Sequence, residues 1–176
     1  MGHIGKIIAP AGHLTLMFAE NMIKGVTPDM FARLAIGKDG KPVQSNHPAW
    51  VFGHLASYAG RALEMLGHPD AAKYKNPALE AVCKNGTPCL DDPSGTIYPK
   101  MEELTKAYFD GYRAVLAALA EAGDETLLKP NPAEGRMKEL FPTVGAMQSF
   151  LLAAHPMSHL GQVSAWRRFM GLGSAM

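Results

Sequence analysis

A chain of 176 residues with 47% apolar and 19% charged residues has the composition of a globular protein with a sizeable core, and one domain spanning residues 1–176 is expected. A formal net charge of +1 gives no electrostatic reason to bind DNA or RNA, so nucleic-acid partners are not expected. No apolar run reaches the roughly 18 residues a membrane span needs, so no membrane partner is expected either.

The opening segment, Met1 to Pro10, is too short in its apolar part to read as a signal peptide. Cys83 and Cys89 are the only cysteines, and they lie in a Pro/Gly-rich connection where they could pair. A short-loop pair without an export signal more often stays as two thiols in a reducing cytosol, and a cytoplasmic location is expected.

The first predicted helix runs from about Pro10 to Lys24. Leu14, Met17, Phe18, Asn21 and Met22 recur at spacings of three and four and define its apolar face. His13 lies near its start, and Gly25 is the expected stop. Thr27-Pro28-Asp29 opens a short second piece, with Thr27 as cap and Pro28 at the first helical position. A loop follows through Gly37-Lys38-Asp39-Gly40-Lys41-Pro42. Ser45-Asn46-His47-Pro48 then starts a long helix, with Asn46 as the expected cap, that continues to about Leu66 and stops at Gly67. Its apolar stripe is Trp50, Val51, His54, Leu55, Tyr58, Ala62 and Met65, with His54 in the middle. His47 is two turns earlier on the same side, roughly 10 Å away along the axis.

From His68 to about Tyr98 the chain reads as irregular apart from a short helix at about Pro77 to Lys84. This is a crossover between helices rather than a linker between domains, since neither half shows a complete core. Pro99 to about Ala122 is the clearest helix, with Met101, Leu104, Tyr108, Tyr112, Val115, Leu119 and Ala122 on one face. After a loop with a helical turn at about Glu125 to Leu128, Thr143 caps a last helix that runs to about Met170. Phe150, Leu151, Leu152, Trp166 and Phe169 place that helix against the core. Pro156 removes a backbone donor and crowds the preceding turn, so a kink is expected between His155 and His159. No convincing strand appears. Four long amphipathic helices with one long crossover between the second and third describe an all-α four-helix bundle, a fold whose metal sites are built from inward side chains on facing helices.

His155 and His159 stand four residues apart, one turn apart on the same helical face, a spacing that lets two imidazoles bind one ion. With His54 on a neighbouring helix, three neutral imidazoles can converge. Three protein ligands plus an open position is the arrangement of a catalytic rather than a structural zinc site. A di-iron carboxylate site would need Glu-x-x-His motifs, and covalent c-type haem would need Cys-x-x-Cys-His; neither motif is present.

The segments Asn46-His-Pro-Ala-Trp50-Val-Phe-Gly53-His54-Leu and His155-x-x-x-His159-Leu-Gly161-Gln162, with the closing Trp-Arg-Arg-Phe-Met-Gly171, resemble the DinB/YfiT-like superfamily over nearly the whole chain. The resemblance implies a four-helix bundle with His54, His155 and His159 as ligands to a divalent ion, zinc first and nickel or another ion second. It also implies a homodimer, which the broad amphipathic faces favour as well. Characterised members include metal-dependent transferases and isomerases that use low-molecular-weight thiols such as bacillithiol or mycothiol. The sequence departs from many members at Pro156. No Glu follows His155, so the metalloprotease arrangement is absent and no general base is identified.

Two readings stand side by side. In the first, the protein is a metal-dependent enzyme acting on a small electrophile or thiol, with Trp50, Tyr58, Gln162, His47 and His13 as candidate pocket residues. In the second, it is a non-catalytic bundle that binds metal for stability or acts through association. Its 11 methionines would suit the latter, since they make packing adaptable. An ion with a solvent-reachable position favours the first reading, and one with four protein ligands favours the second.

Overall fold

The computed structural model describes residues 2–175. Ten α-helices follow one another among them: α1 (His3–Ile23), α2 (Pro28–Phe31), α3 (Pro48–Ala56), α4 (Ala59–Met65), α5 (Pro77–Cys83), α6 (Met101–Glu121), α7 (Asp124–Leu127), α8 (Arg136–Leu140), α9 (Val144–Ser149) and α10 (His155–Phe169). A 3-10 turn (Ala71–Tyr74) precedes α5, and a π-helical turn (Phe150–Ala154) joins α9 to α10. No strand occurs among the described residues, only isolated bridges between Ile36 and Pro42 and between Pro130 and Thr143.

α6 packs against α1, α3 and α4, while α10 packs against α1 and α3. The apolar positions expected on α6 hold: Leu104, Tyr108, Tyr112, Val115 and Leu119 are all buried. α3 is buried on every side, from Pro48 to Ala56, because α5, α6 and α10 surround it. A helix so enclosed is apolar all round, and a polar side chain on it must find partners inside.

α1 differs from expectation in start and in face. It begins at His3, seven residues before Pro10, because the Asp124 carboxylate accepts the His3 and Ile4 backbone N–H groups at 3.0 and 2.9 Å. Pro10 and Lys6 are both exposed, so the Lys6 carbonyl that loses its helical partner faces water. The buried face includes Ile8, Gly12, Thr15, Leu16, Ala19 and Met22; of the expected face Met22 is buried and Phe18 packs partly buried against the core, whereas Leu14 and Met17 are exposed. At Gly12 α6 comes very close: a Cβ there would lie 2.8 Å from Leu116 Cδ2. On α10, Phe169 is likewise exposed rather than part of the core.

Two features set the register of the helices that carry histidines. At the start of α3 the cap is His47, not Asn46: the His47 Nδ1 accepts the Trp50 backbone N–H at 3.2 Å. Next to Pro156, where a kink is expected, a π-helical turn stands just before the proline, in which the His155 N–H donates to the Phe150 carbonyl five residues back. Pro156 cannot donate to the Leu152 carbonyl and would crowd it in a tight turn, and the wider turn relieves that clash. The irregularity therefore ends before His155, and both histidines stand in one regular helix.

Candidate metal centre

His54 on α3 and His155 and His159 on α10 meet where these two helices pack. One ligand nitrogen from each lies within 4.8 Å of the other two. The ring centroids are 5.1 Å apart for His54 and His155, 4.7 Å for His54 and His159, and 4.8 Å for His155 and His159. His54 is buried, and the two α10 histidines are half-buried.

The nitrogens of two rings are already assigned by their neighbours. His54 Nδ1 donates to the Cys83 carbonyl at 2.7 Å, which leaves Nε2 bare and facing His155 Nε2 at 3.1 Å. His159 Nδ1 lies 3.2 Å from Gln162 Oε1, which also accepts from Asn46 Nδ2 at 3.0 Å. His155 is held by rings instead: it stacks on Phe150 at 5.2 Å and meets the edge of Tyr58 at 4.8 Å. Its buried Nδ1 has no hydrogen-bond partner among the described residues.

All three imidazoles are kept neutral. Burial pushes His54 down to about 4, against the opposing pull of its bond to Cys83. Burial, and then the two neighbouring rings, push His155 down to about 3. Burial also lowers His159, with Gln162 opposing. A neutral imidazole with one nitrogen donating to a carbonyl or amide oxygen is the form that binds a divalent ion through the other. The spacing fits as well. Two nitrogens each about 2.05 Å from a tetrahedral ion lie about 3.3 Å apart, close to the 3.1 Å between His54 and His155. Among the described residues no carboxylate or thiolate joins the group, so an ion held here would keep a position for a non-protein ligand.

A family model described as the DinB superfamily matches residues 22–163, a span that contains all three histidines and Gln162. The chain belongs to the DinB superfamily. Neither the curated proteins nor the solved structures compared with it include a match.

Of the further positions singled out from the sequence of this DinB-superfamily chain, three reach the cluster. Trp50 is buried, stacks on His54 at 4.7 Å and donates its indole N–H to Thr87 Oγ1. Tyr58 meets the edges of His54 and His155. Gln162 arrives as the partner of His159. His47 does not take part: its Nδ1 caps α3, its Nε2 donates to the Leu90 carbonyl at 2.8 Å, and Tyr98 meets its ring edge-on, so neither nitrogen is left for a ligand. His13 does not take part either. It is exposed and lines a separate groove of about 520 Å³ with Glu20, Arg113 and Leu116.

The sequence pattern missed the Cys83 carbonyl, since backbone acceptors leave no trace in residue type, and it missed Phe150 as a stacking partner of a ligand. Cys83 and Cys89 are free thiols here, and burial pushes them up to about 12 and about 11. They are therefore protonated at neutral pH and do not serve as nucleophiles in this state. No described helix is long and apolar enough to cross a membrane.

Proposed function

We propose that this chain is a metal-dependent enzyme built on a single-domain four-helix bundle, with His54, His155 and His159 holding one divalent ion. In this reading α1, α3 with α4, α6, and α9 through α10 are the four long elements, and α5 lies in the crossover between the second and third. The observation that carries the proposal is the convergence of three neutral imidazoles, two of them oriented by hydrogen bonds to Cys83 and Gln162, with no fourth protein ligand among the described residues. Zinc is the first choice for an all-nitrogen site of this kind, with nickel or another divalent ion second.

When bound, the ion supplies Lewis acidity and lowers the pKa of a thiol or water bound to it. The chain's own residues do the rest. His54 and His159 are oriented by Cys83 and Gln162 before any ligand arrives. Trp50, packed on His54, keeps water from the inner side. Tyr58 is the titratable side chain touching the rings of His54 and His155, and burial raises its pKa, so it enters as a donor rather than a base. Among the described residues no carboxylate joins the three histidines to take a proton from water. A thiol, with an ordinary pKa of about 8.5, needs far less help to ionise than water does. This favours transfer or isomerisation using a low-molecular-weight thiol over hydrolysis, in line with what the resemblance implies.

The test uses protein without a polyhistidine tag, stripped of metal. Calorimetric titration of wild type should show one Zn²⁺ bound, and His54→Ala should lose most of that affinity while circular dichroism shows the helices retained. Equal affinity in both proteins removes His54 from the site. Co²⁺-loaded protein should then develop a sulfur-to-metal charge-transfer band on adding a small thiol. Without that band or any thiol conjugation, the non-catalytic reading takes over.

The remaining expectations belong to the same proposal. A cytoplasmic location is supported by the two free thiols. A homodimer is supported by the exposed Ile7, Leu14 and Met17 on α1. Light scattering should give about twice the 18.9 kDa chain mass.

A further inference from the structure

Gln162 and Asn46 lie 116 residues apart, Asn46 in the segment leading into α3 and Gln162 on α10, one turn beyond His159. One atom, Gln162 Oε1, serves two donors. It accepts from Asn46 Nδ2 at 3.0 Å and from His159 Nδ1 at 3.2 Å. An amide has the same shape in its two orientations, and what differs is which end donates. The two side-chain amides therefore have two self-consistent arrangements. In one, Asn46 donates to Gln162 Oε1, which also accepts from a protonated His159 Nδ1, so Nε2 is bare. In the other, both amides are reversed and Gln162 Nε2 occupies the shared position. It then donates to both Asn46 and His159, so His159 Nδ1 must accept and the ring proton moves to Nε2, facing His54 and His155.

We infer that Asn46 and Gln162 form a polarity switch that selects the His159 tautomer, with Gln162 as the positioning residue and Asn46 as the residue that orients it. The inference rests on the metal-site reading, because a bare His159 Nε2 matters only if that nitrogen is a ligand. It concerns a different fact, however: which ring nitrogen carries the proton before any metal arrives. Only the first arrangement is competent for coordination, and the structure holds that one. His54 needs no such device, since its orienting partner is a backbone carbonyl that can only accept. His155 has no partner at Nδ1 among the described residues, and its Nε2 meets only His54 Nε2 at 3.1 Å, so orientation from outside the cluster rests on the other two rings.

A purely structural role and a tautomer-selecting role diverge in one substitution. Asn46→Asp keeps a hydrogen bond between the two segments but reverses its polarity, because a carboxylate only accepts. Gln162 must then turn its NH2 toward the new carboxylate, and the same NH2 faces His159. Gln162→Glu does the opposite: a carboxylate can only accept from Asn46 and His159, so the competent tautomer is kept. Gln162→Leu removes the selection altogether.

Histidine side-chain 15N NMR on metal-free protein near pH 7.5 reads the tautomer directly, without metal or activity. The expected result is an Nδ1–H ring for His159 in wild type and Gln162→Glu, and a shift to Nε2–H in Asn46→Asp. Zn²⁺ titration of the same proteins should show near wild-type affinity for Gln162→Glu. Affinity should fall about 10–100-fold in Asn46→Asp and Gln162→Leu, the usual cost of losing an orienting partner. An Nε2–H ring in wild type, or an unchanged tautomer in Asn46→Asp with its fold intact, overturns the inference. Should wild type show the Nδ1–H tautomer and bind no Zn²⁺, the metal reading fails while the tautomer selection stands.

Discussion

At the residue scale, the seven histidines of this chain include one that looks like a ligand and is not. His47 is buried and sits at the head of the helix that carries His54, yet its two nitrogens serve the Trp50 N–H and the Leu90 carbonyl. His47→Ala should cost about 2–4 kcal/mol, combining a lost helix cap with a buried carbonyl left without a donor. Urea unfolding measures this, and zinc should still bind in one equivalent. A loss below about 1 kcal/mol together with lost zinc binding would make His47 a ligand rather than a cap. His155 and His159 were legible as a pair because spacing on a helix fixes which side chains share a face, and His54 because it stands in the middle of an apolar stripe in a segment that resembles the family. The role of His47 was not, since a histidine before a proline reads the same whether it caps or ligates. Gln162 was legible as a site residue but not in its role, which depends on Asn46 arriving from far along the chain.

At the scale of elements, glycines reveal what apolar periodicity hides. The three-four pattern yielded α1 and α6 as long helices, but the helix expected up to about Leu66 is interrupted between Ala56 and Ala59, and the buried face of α1 was only partly legible, because close packing against α6 leaves no room for a side chain at Gly12. The start of α1 was illegible because its cap, Asp124, stands 121 residues away from His3. Gly53 makes a similar point inside α3: a Cβ there would lie 2.6 Å from Cys83 Sγ and 3.4 Å from Leu104 Cδ2. Gly53→Ala should destabilise by about 1–3 kcal/mol through overpacking. It should also weaken zinc binding, because displacing Cys83 moves the carbonyl that orients His54. Gly161 is the control: it lies in α10 with nothing within 4 Å of an added Cβ. Gly161→Ala should stabilise by about 0.5–1 kcal/mol through helix propensity, with zinc binding unchanged. Thermal melts of the two variants check the pair, and a stabilising Gly53→Ala would show that α5 yields without cost.

At the scale of the whole molecule, the fold places four histidines in surroundings that oppose their protonation. Burial is the leading cause for His47, His54, His155 and His159 alike, and it outweighs the attraction of Asp91 and Asp92 for His47. In the unfolded chain each returns to the ordinary value of about 6.5. Folded values below unfolded ones mean that the unfolded chain binds more protons as pH falls, so stability must fall with it. The contribution is fully present above about 6.5 and is lost progressively as pH drops through the window that ends at about 4 for His54 and about 3 for His155. Scanning calorimetry of metal-free protein should therefore give a nearly constant Tm above about pH 7 and a steady fall between about pH 6.5 and 5. His54→Gln, which has no titrating ring at that position, should flatten the fall by the share of one proton. Zinc at one equivalent should raise Tm at neutral pH, since it binds the folded state, and the increment should shrink on acidification because protons compete for the same nitrogens. A Tm that stays level from about pH 7 to 5 in both proteins would mean that the folded chain protonates these rings as readily as the unfolded one. The neutral imidazole cluster, and with it the metal centre, would then have to be given up.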